Sequence, residues 1–388
     1  MNGGALLSPP VRRHLASPRR ILIASVSAGA GHVRAAEALQ ESFRILFPYI
    51  NAVHANVLDH ARPRFRRLYE GGYSFLVNKA PSAWKRVYRW TDTDVQVGNR
   101  ILDSFQRRQL SSFVDYVRDL RPDRIIATHF MVPALLEALG ANERPPIDVV
   151  VTDYDVHRLW VHPLVDRTFV ASEQAARRLL SLGVSADRIV HTGIPIHPVF
   201  LTPVDRTSVL VRLSLSSWTP TILVLAGGGG FAPLAEAVKG LFTVPIPVQI
   251  IAVCGRNAEL KKEVDSLTPP PGVTLRSIGF ASNMHQLIGA SDLVVTKPGG
   301  LTIAETLAKG TPMLFYSAIP GQEELNADYV CRKGAALRAD LDQIPAIVTE
   351  ALADGDTLDQ LKLCARAIAQ PRAGFSIARY AAAVQIAR

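Results

Sequence analysis

From Ile21 onward, short β-branched apolar runs alternate with stretches of helical spacing. Ile21–Val26 reads as a buried strand. Ala35–Phe47 reads as a helix with Ala36, Leu39, Phe43 and Phe47 on one face. Strand-like runs follow at Ala52–Leu58, Arg124–Thr128, Asp148–Thr152, Arg167–Ala171 and Ile189–Thr192. Apolar continuity without alternation is the mark of parallel strands covered on both faces. Pro195, Pro198, Pro203 and the polar stretch from Asp205 to Pro220 then break the pattern. It restarts with strands at Thr221–Ala226, Val248–Cys254, Val273–Ile278, Asp292–Thr296 and Pro312–Tyr316. Helices are expected between them, among them Phe231–Phe242 and Leu301–Lys309, and the chain closes with helical sequence at Ile344–Arg366 and Ser376–Ile386. The predicted fold class is α/β: two doubly wound, Rossmann-like domains with a ligand cleft between them.

The 388 residues, 48% of them hydrophobic, suffice for two cores. The expected division is an N-terminal unit at 19–203, a second unit at 204–370, and a C-terminal helix at 371–388 able to pack back on the first. The Pro- and Arg-rich residues 1–18 lack a signal-peptide core and read as a disordered leader. No apolar run approaches the ~20 residues of a spanning helix. Three widely spaced cysteines, Cys254, Cys331 and Cys364, form neither a disulfide framework nor a zinc pattern, which fits a reducing cytoplasm.

The formal net charge of +9 is concentrated. Residues 62–108 hold 11 basic and 4 acidic residues, while 201–388 hold 17 and 16. Within that stretch Phe65, Leu68, Tyr69, Tyr73 and Leu76 share a helical face. Arg62, Arg66, Arg67, Lys79, Lys85, Arg86 and Arg89 surround it, with Trp84, Tyr88 and Trp90 interleaved. Such a segment is a solvated basic face, a surface for an anionic bilayer, or a nucleic-acid contact. No nucleic-acid-binding motif accompanies it.

Each half opens on a strand that runs into glycines and then a helix: Ser27-Ala28-Gly29-Ala30-Gly31-His32, and Gly227-Gly228-Gly229-Gly230. Such loops bring backbone N–H groups and a helix N-terminus to an anion. The dinucleotide fingerprint fails in the first loop at Arg34. The second, Gly227, Gly229 and Ala232, is followed by Cys254-Gly255-Arg256-Asn257, with no acidic partner for a ribose. Arg256 keeps an NADP reading open. His32, at the helix start, is a candidate general base or a simple cap. Lys297-Pro298-Gly299-Gly300-Leu301-Thr302 puts a cation, two glycines and a hydroxyl at a helix start, which suits a diphosphate. Glu305, one turn on, could accept ribose hydroxyls. Gln322, Glu323, Glu324 and Asn326, after Pro320-Gly321, could grip a sugar. Asp153-Tyr154-Asp155 spells a pattern that holds manganese in another transferase fold.

Taken in order, these motifs resemble the diacylglycerol-glycosylating branch of the inverting GT-B glycosyltransferases. That branch includes monogalactosyldiacylglycerol synthases and bacterial processive diacylglycerol glycosyltransferases; the peptidoglycan N-acetylglucosaminyltransferase is a more distant relative. The resemblance covers about residues 20–370. It rests on Gly29-Ala30-Gly31-His32, Thr152-Asp153 with His157 and Trp160, Gly193-Ile194-Pro195-Ile196, Gly227–Gly230, Cys254-Gly255-Arg256-Asn257, Gly279-Phe280, Lys297-Pro298-Gly299-Gly300 with Thr302 and Glu305, and Pro320-Gly321-Gln322-Glu323.

The resemblance implies a UDP-sugar donor in the C-terminal half. Gly228 and Gly229 belong to its glycine loop, Gly255, Arg256 and Asn257 line the nucleotide pocket, and Gly279, Phe280 and Met284 meet the base. Lys297, Gly299, Gly300 and Thr302 take the diphosphate, Glu305 the ribose, and Gln322 and Glu323 the sugar. The acceptor, diacylglycerol, is expected near Gly31, His32 and Trp160. His32 is then the base, with His129 and Asp153 as second candidates. Arg62, Arg66, Arg67, Trp84, Lys85 and Arg86 become an anionic-membrane contact on the cytoplasmic face of the cell membrane. No metal, no tightly bound cofactor and no nucleic acid are called for. Two alternatives stay open: an N-acetylglucosaminyl transfer to a polyprenyl-linked precursor, and a GT-B nucleotide-sugar epimerase. Neither the hexose, glucose or galactose, nor the number of sugars added is legible.

Overall fold

The computed structural model describes residues 19–27, 29–92, 108–227 and 232–383, without the side chains of 73–79 and 81. The leader at 1–18, Gly228 and Gly229 lie outside the described residues.

The first sheet holds β1 (Arg20–Ser25), β2 (Asn51–Asn56), β3 (Arg124–Ala127), β4 (Ile147–Val150), β5 (Val165–Val170) and β6 (Ile189–His191). They are parallel in the order β2-β1-β3-β4-β5-β6. β1 shows why its sequence reads as an unbroken apolar run. Leu22 and Ala24 pack with Phe113 and Val117 on one face, and Ile21 and Ile23 with Phe43 and Ile377 on the other. Helix α1 (Ala30–Leu46) covers the second face. Then come α2 (Pro63–Lys79), α3 (Pro81–Thr91), α4 (Ser111–Leu120), the one-turn α5 (Met131–Leu135) and α6 (Glu173–Ser181).

The second sheet holds β7 (Thr221–Leu225), β8 (Val248–Val253), β9 (Val273–Ile278), β10 (Leu293–Thr296), β11 (Met313–Phe315) and β12 (Ala336–Arg338), parallel in the order β12-β11-β10-β7-β8-β9. Its helices are α7 (Arg206–Arg212), α8 (Leu234–Leu241), α9 (Ala258–Asp265), α10 (Met284–Ala290), α11 (Gly300–Lys309), α12 (Gln322–Arg332), α13 (Ile344–Ala353) and α14 (Gly355–Ile368). The last helix, α15 (Ala373–Ala383), returns to the first sheet. Ile377, Ala378 and Ala381 join the apolar layer of α1, and Gly374 comes so close to α1 that a Cβ there would stand 2.5 Å from Ser42 Oγ.

Three features depart from the sequence pattern. β12 is an edge strand of three residues, too short to show a period. The helical run from Ile344 is split at Asp354, which leaves helical geometry and caps α14 by accepting from the Asp356 N–H. The polar stretch after Pro203 contains α7, capped by Asp205.

In both sheets the strand order reverses beside the opening strand, at β1/β3 and at β7/β10, where open α/β sheets leave a crevice at the strands' carboxyl ends. The two crevices face each other. Tyr154 of the first unit stacks on Tyr329 of α12, ring centroids 5.3 Å apart, inside an apolar cluster that also holds Ile194 and Ile196.

Candidate functional site

His32 is held by the ends of the neighbouring strands. Its Nδ1 lies 2.6 Å from the Thr128 carbonyl oxygen and 3.0 Å from Thr152 Oγ1, while Thr128 Oγ1 donates to the His32 carbonyl. A carbonyl only accepts, so Nδ1 carries the proton and Nε2 keeps its lone pair. Burial pushes the His32 pKa down to about 4, so the ring is neutral at physiological pH. A neutral ring with an oriented tautomer and a free nitrogen is what a general base requires.

His129 is different. Its Nδ1 accepts from the Met131 N–H, its ring meets His32 edge-on at 4.7 Å, and burial lowers its pKa well below the usual value. It is a buried wall behind His32. Asp153 faces the cleft, where burial pushes its pKa up to about 6 against an opposing hydrogen bond from Asn326.

His32, Asp153 and Gln322 line one cavity together with Trp84, Tyr88 and Trp160. The cavity therefore joins the first unit's candidate base to the second unit's candidate sugar contact, under an aromatic roof. Helix α3 supplies that roof. Its C-terminal end is tied to the first unit: Asp92 accepts from Arg178 and from the Arg158 N–H, and His157 meets the Tyr88 carbonyl at 2.9 Å. Its middle reaches the second unit, where Lys85 pairs with Glu324 at 3.1 Å and Tyr88 packs on Gly321. At Gly321, with φ +91°, a Cβ would stand 2.7 Å from Tyr88 Cδ1.

In the second unit the loops after β7 and β10 touch. The Lys297 chain crosses Gly227, whose φ is +76° and whose Cβ position would be 2.4 Å from Lys297 Cε. Lys297 Nζ pairs at 2.6 Å with Glu323, and the other oxygen of Glu323 accepts from the Ile319 N–H. The Glu323 carboxylate thus fixes the lysine and its own loop, with its oxygens turned to these partners and Gln322 left lining the cavity. Gly299 caps α11, and Gly300 lies against the backbone of the first unit: a Cβ there would be 2.1 Å from the Thr152 carbonyl oxygen. Thr302 is half-buried in the first turn of α11.

Glu305 is 4% exposed and pairs at 2.7 Å with Arg34 of α1. Burial pushes its pKa up to about 7, Arg34 acting in the opposite direction. A second cavity, lined by Glu305, Arg34, Met284, Ser282, Leu301 and His285 among others, opens beside it. Arg256 lies over the exposed Phe280 ring at 4.8 Å, Gly279 lies against the Gly255 carbonyl, and Asn257 caps α9 by accepting from the Leu260 N–H. Asp155 accepts from Gln174, and among the described residues no three His, Cys, Asp or Glu side chains cluster as metal ligands.

The basic stretch does not present one face. Arg62 just before α2, Arg64, Arg67 and Leu68 of α2, and Arg86, Val87, Arg89 and Trp90 of α3, are exposed. Phe65 is buried, Arg66 is bound to Asp59 and Glu70, and Trp84 and Lys85 turn toward the cleft. The sequence places Trp84 and Lys85 with Arg86 because they are neighbours in the chain; helix geometry separates them. No described helix is long and apolar enough to cross a membrane.

Asn326 was legible only as a polar residue near the sugar motif. It is fully buried: Oδ1 accepts from the Tyr154 N–H at 2.7 Å, and Nδ2 donates to Asp153 Oδ1 at 2.8 Å and to the Pro298 carbonyl at 3.2 Å. One amide thus joins the Thr152–Tyr154 turn, the lysine loop and α12. Its partners come from two distant segments, at 153–154 and at 298, which no local spacing reveals.

Residues 32–196 match the family model for monogalactosyldiacylglycerol (MGDG) synthase, and residues 221–376 match that for the glycosyltransferase family 28 C-terminal domain. A processive diacylglycerol beta-glucosyltransferase of Bacillus cereus (strain B4264) is 30% identical over 371 residues, spanning 91% of this chain and 90% of the relative. Among solved structures, MurG of Acinetobacter baumannii superposes with a TM-score of 0.57 at 17% identity, covering 94% of this chain and 99% of that one. Anabaena Alr3699/HepE, solved with UDP-glucose, gives a TM-score of 0.57 at 13% identity, covering 95% and 99%.

Proposed function

The chain belongs to the diacylglycerol glycosyltransferase family of GT-B enzymes, and we propose that it transfers a hexose from UDP-glucose or UDP-galactose to a diacylglycerol hydroxyl with inversion. The observation that carries the mechanism is the shared cavity. The free Nε2 of His32 and the Gln322 side chain line the same space, as an acceptor hydroxyl and a donor sugar require.

The acceptor oxygen attacks the anomeric carbon from the side opposite UDP. Its proton passes to His32 Nε2 as the new C–O bond forms, and the bond to the β-phosphate oxygen breaks. UDP leaves with the electron pair, its charge met by Lys297 and by backbone N–H groups at the start of α11. Thr302 and Gly299 belong to this cradle, Gln322 orients the sugar hydroxyls, and Glu305 takes the ribose. Phe280 and Met284 border the base, with Arg256, Gly255 and Asn257 around the nucleotide. Trp160, Trp84 and Tyr88 give the glycerol end of the lipid an apolar wall. His129 supports the His32 ring, and Asp153 orients the acceptor.

The exposed Arg62, Arg64, Arg67, Arg86 and Arg89, with Leu68, Val87 and Trp90, form the contact with an anionic membrane, at its cytoplasmic face. The enzyme is peripheral in this reading, and the lipid reaches the cavity beneath α3. The units divide near residue 203, with α15 (Ala373–Ala383) serving the first. Incubation with diacylglycerol in anionic mixed micelles and a panel of radiolabelled UDP-hexoses, followed by lipid chromatography, tests the proposal. Labelled glycolipid with glucose or galactose is expected. Label transferred only to a polyprenyl-linked acceptor, or interconversion of the nucleotide sugar without lipid product, would replace it.

A further inference from the structure

Arg34 is the residue that breaks the dinucleotide pattern in the first glycine loop. It belongs to the first unit, on α1, yet its guanidinium donates across the cleft to Glu305 Oε1 at 2.7 Å. The two ends differ in setting: the Arg34 side chain is 43% exposed and that of Glu305 is 5% exposed. An exposed arginine reaching a buried carboxylate in another domain is not an ordinary surface pair. Removing the arginine leaves a buried charge without its counter-ion, the costly case.

Resting on the donor reading above, we propose that Arg34 is a positioning residue of the donor site: from the acceptor domain it holds the Glu305 carboxylate for the donor ribose, so the nucleoside site is complete only when the two domains are closed.

The geometry accommodates both partners. An ionised carboxylate offers about four acceptor positions, and Arg34 takes one on Oε1. The cavity beside the pair, about 270 Å³, is bounded by both units: Arg34 and Glu37 of α1, His197, Val199 and Phe200 of the connection, and Ser282, Met284, His285 and Leu301 of the second unit. A nucleoside there touches both domains. The charged and titratable groups around it are Arg34 and Glu37 on α1, His197 on the connection, His285 on α10 and Lys309 one turn beyond Glu305. Arg34 is the one that acts on the Glu305 carboxyl. Burial works against ionisation of Glu305, and Arg34 works for it. With Arg34 gone, Glu305 takes up a proton at neutral pH and loses acceptor capacity for the two ribose hydroxyls.

The test is UDP binding by calorimetry between pH 6 and 9 for the wild-type enzyme, Arg34→Gln and Arg34→Lys, with donor KM and kcat alongside. At pH 7.5 Arg34→Gln should bind UDP about tenfold more weakly, recover at pH 9, and show a raised donor KM with kcat at saturation little changed. Arg34→Lys, which keeps a cation, should bind UDP nearly as the wild type does. The 2′,3′-dideoxy analogue of UDP should not distinguish the three proteins. UDP binding by Arg34→Gln as tight as wild type, or tighter, would overturn the proposal while leaving the donor assignment standing. Absence of UDP binding by the wild-type enzyme would overturn the donor assignment and the proposal with it.

Discussion

Gly300→Ala separates two roles that a glycine at this position can have. As part of a phosphate cradle, Gly300 contributes its backbone N–H, which alanine retains. As a point of domain contact it contributes the absence of a side chain. A Cβ would stand 2.1 Å from the Thr152 carbonyl oxygen and 3.2 Å from Asp153 Cα. Non-bonded C···O approaches settle at about 3.3–3.6 Å, so one backbone must retreat by roughly 1.2 Å. Both obstructing groups are main chain, so no side-chain rotation relieves the overlap. The retreat acts on chemistry directly, because Thr152 Oγ1 lies 3.0 Å from His32 Nδ1 and Asp153 borders the cavity. Misplacement by about 1 Å at a reacting centre costs on the order of 100-fold in rate, and overpacking costs about 1–3 kcal/mol. The expected result is a kcat lower by about 100-fold, with UDP affinity falling less, because the overlap lies at Thr152 and Asp153 and not at the Arg34–Glu305 pair. The assay is transfer of labelled hexose to diacylglycerol at saturating donor, with calorimetry for UDP and a thermal melt as control. A wild-type kcat would refute the steric reasoning. A loss of UDP affinity matching the loss of rate would move the damage to the donor site and away from the Thr152–His32 contact.

His32→Ala should lower transfer by about 10²- to 10⁴-fold with UDP affinity retained; normal turnover, measured in the same assay, removes His32 as the base. Because His32 is already neutral above about pH 4, its own titration should not limit the kcat/KM of the wild type near neutrality. Losses as pH falls through 7 and 6 should instead follow protonation of Glu305 and Asp153, whose pKa values are raised. Asn326→Asp sets a second carboxylate beside Asp153. Activity should drop at pH 7.5 and partly return toward pH 6, where the pair shares a proton, so a flat pH profile would contradict the assignment. Replacing Arg64, Arg67 and Arg89 by Gln should weaken sedimentation with anionic vesicles roughly a hundredfold, at about 1 kcal/mol per cation. Arg66→Gln and Lys85→Gln should matter less, since Asp59, Glu70 and Glu324 already hold those charges, and equal binding to neutral vesicles would refute the electrostatic contact.

Local physics made the scaffold legible. Parallel strands covered on both faces run apolar without alternation, as β1, β7 and β8 do; eleven of the twelve described strands were legible as short β-branched apolar runs, β12 being too short to display one. The turn at Gly29 into α1 was legible because a strand that runs into glycines marks the end of a strand and the start of a helix. The family motifs of the second unit are contiguous in the chain for a local reason: each follows the end of one strand.

The sequence determined the two α/β units, the family and the placing of His32 at the start of α1, since all of these are written in runs of adjacent residues. Only the tertiary structure decided what crosses the cleft. Arg34 meets Glu305 over 271 positions of chain, and Asn326 meets Asp153 over 173. Tyr88 closes on Gly321, and Gly300 on the Thr152 carbonyl. It also divided the basic segment into residues that face outward and residues that roof the cavity, because adjacent positions on a helix point about 100° apart. Those pairings depend on how two independently wound sheets come together, and no spacing within either half encodes it.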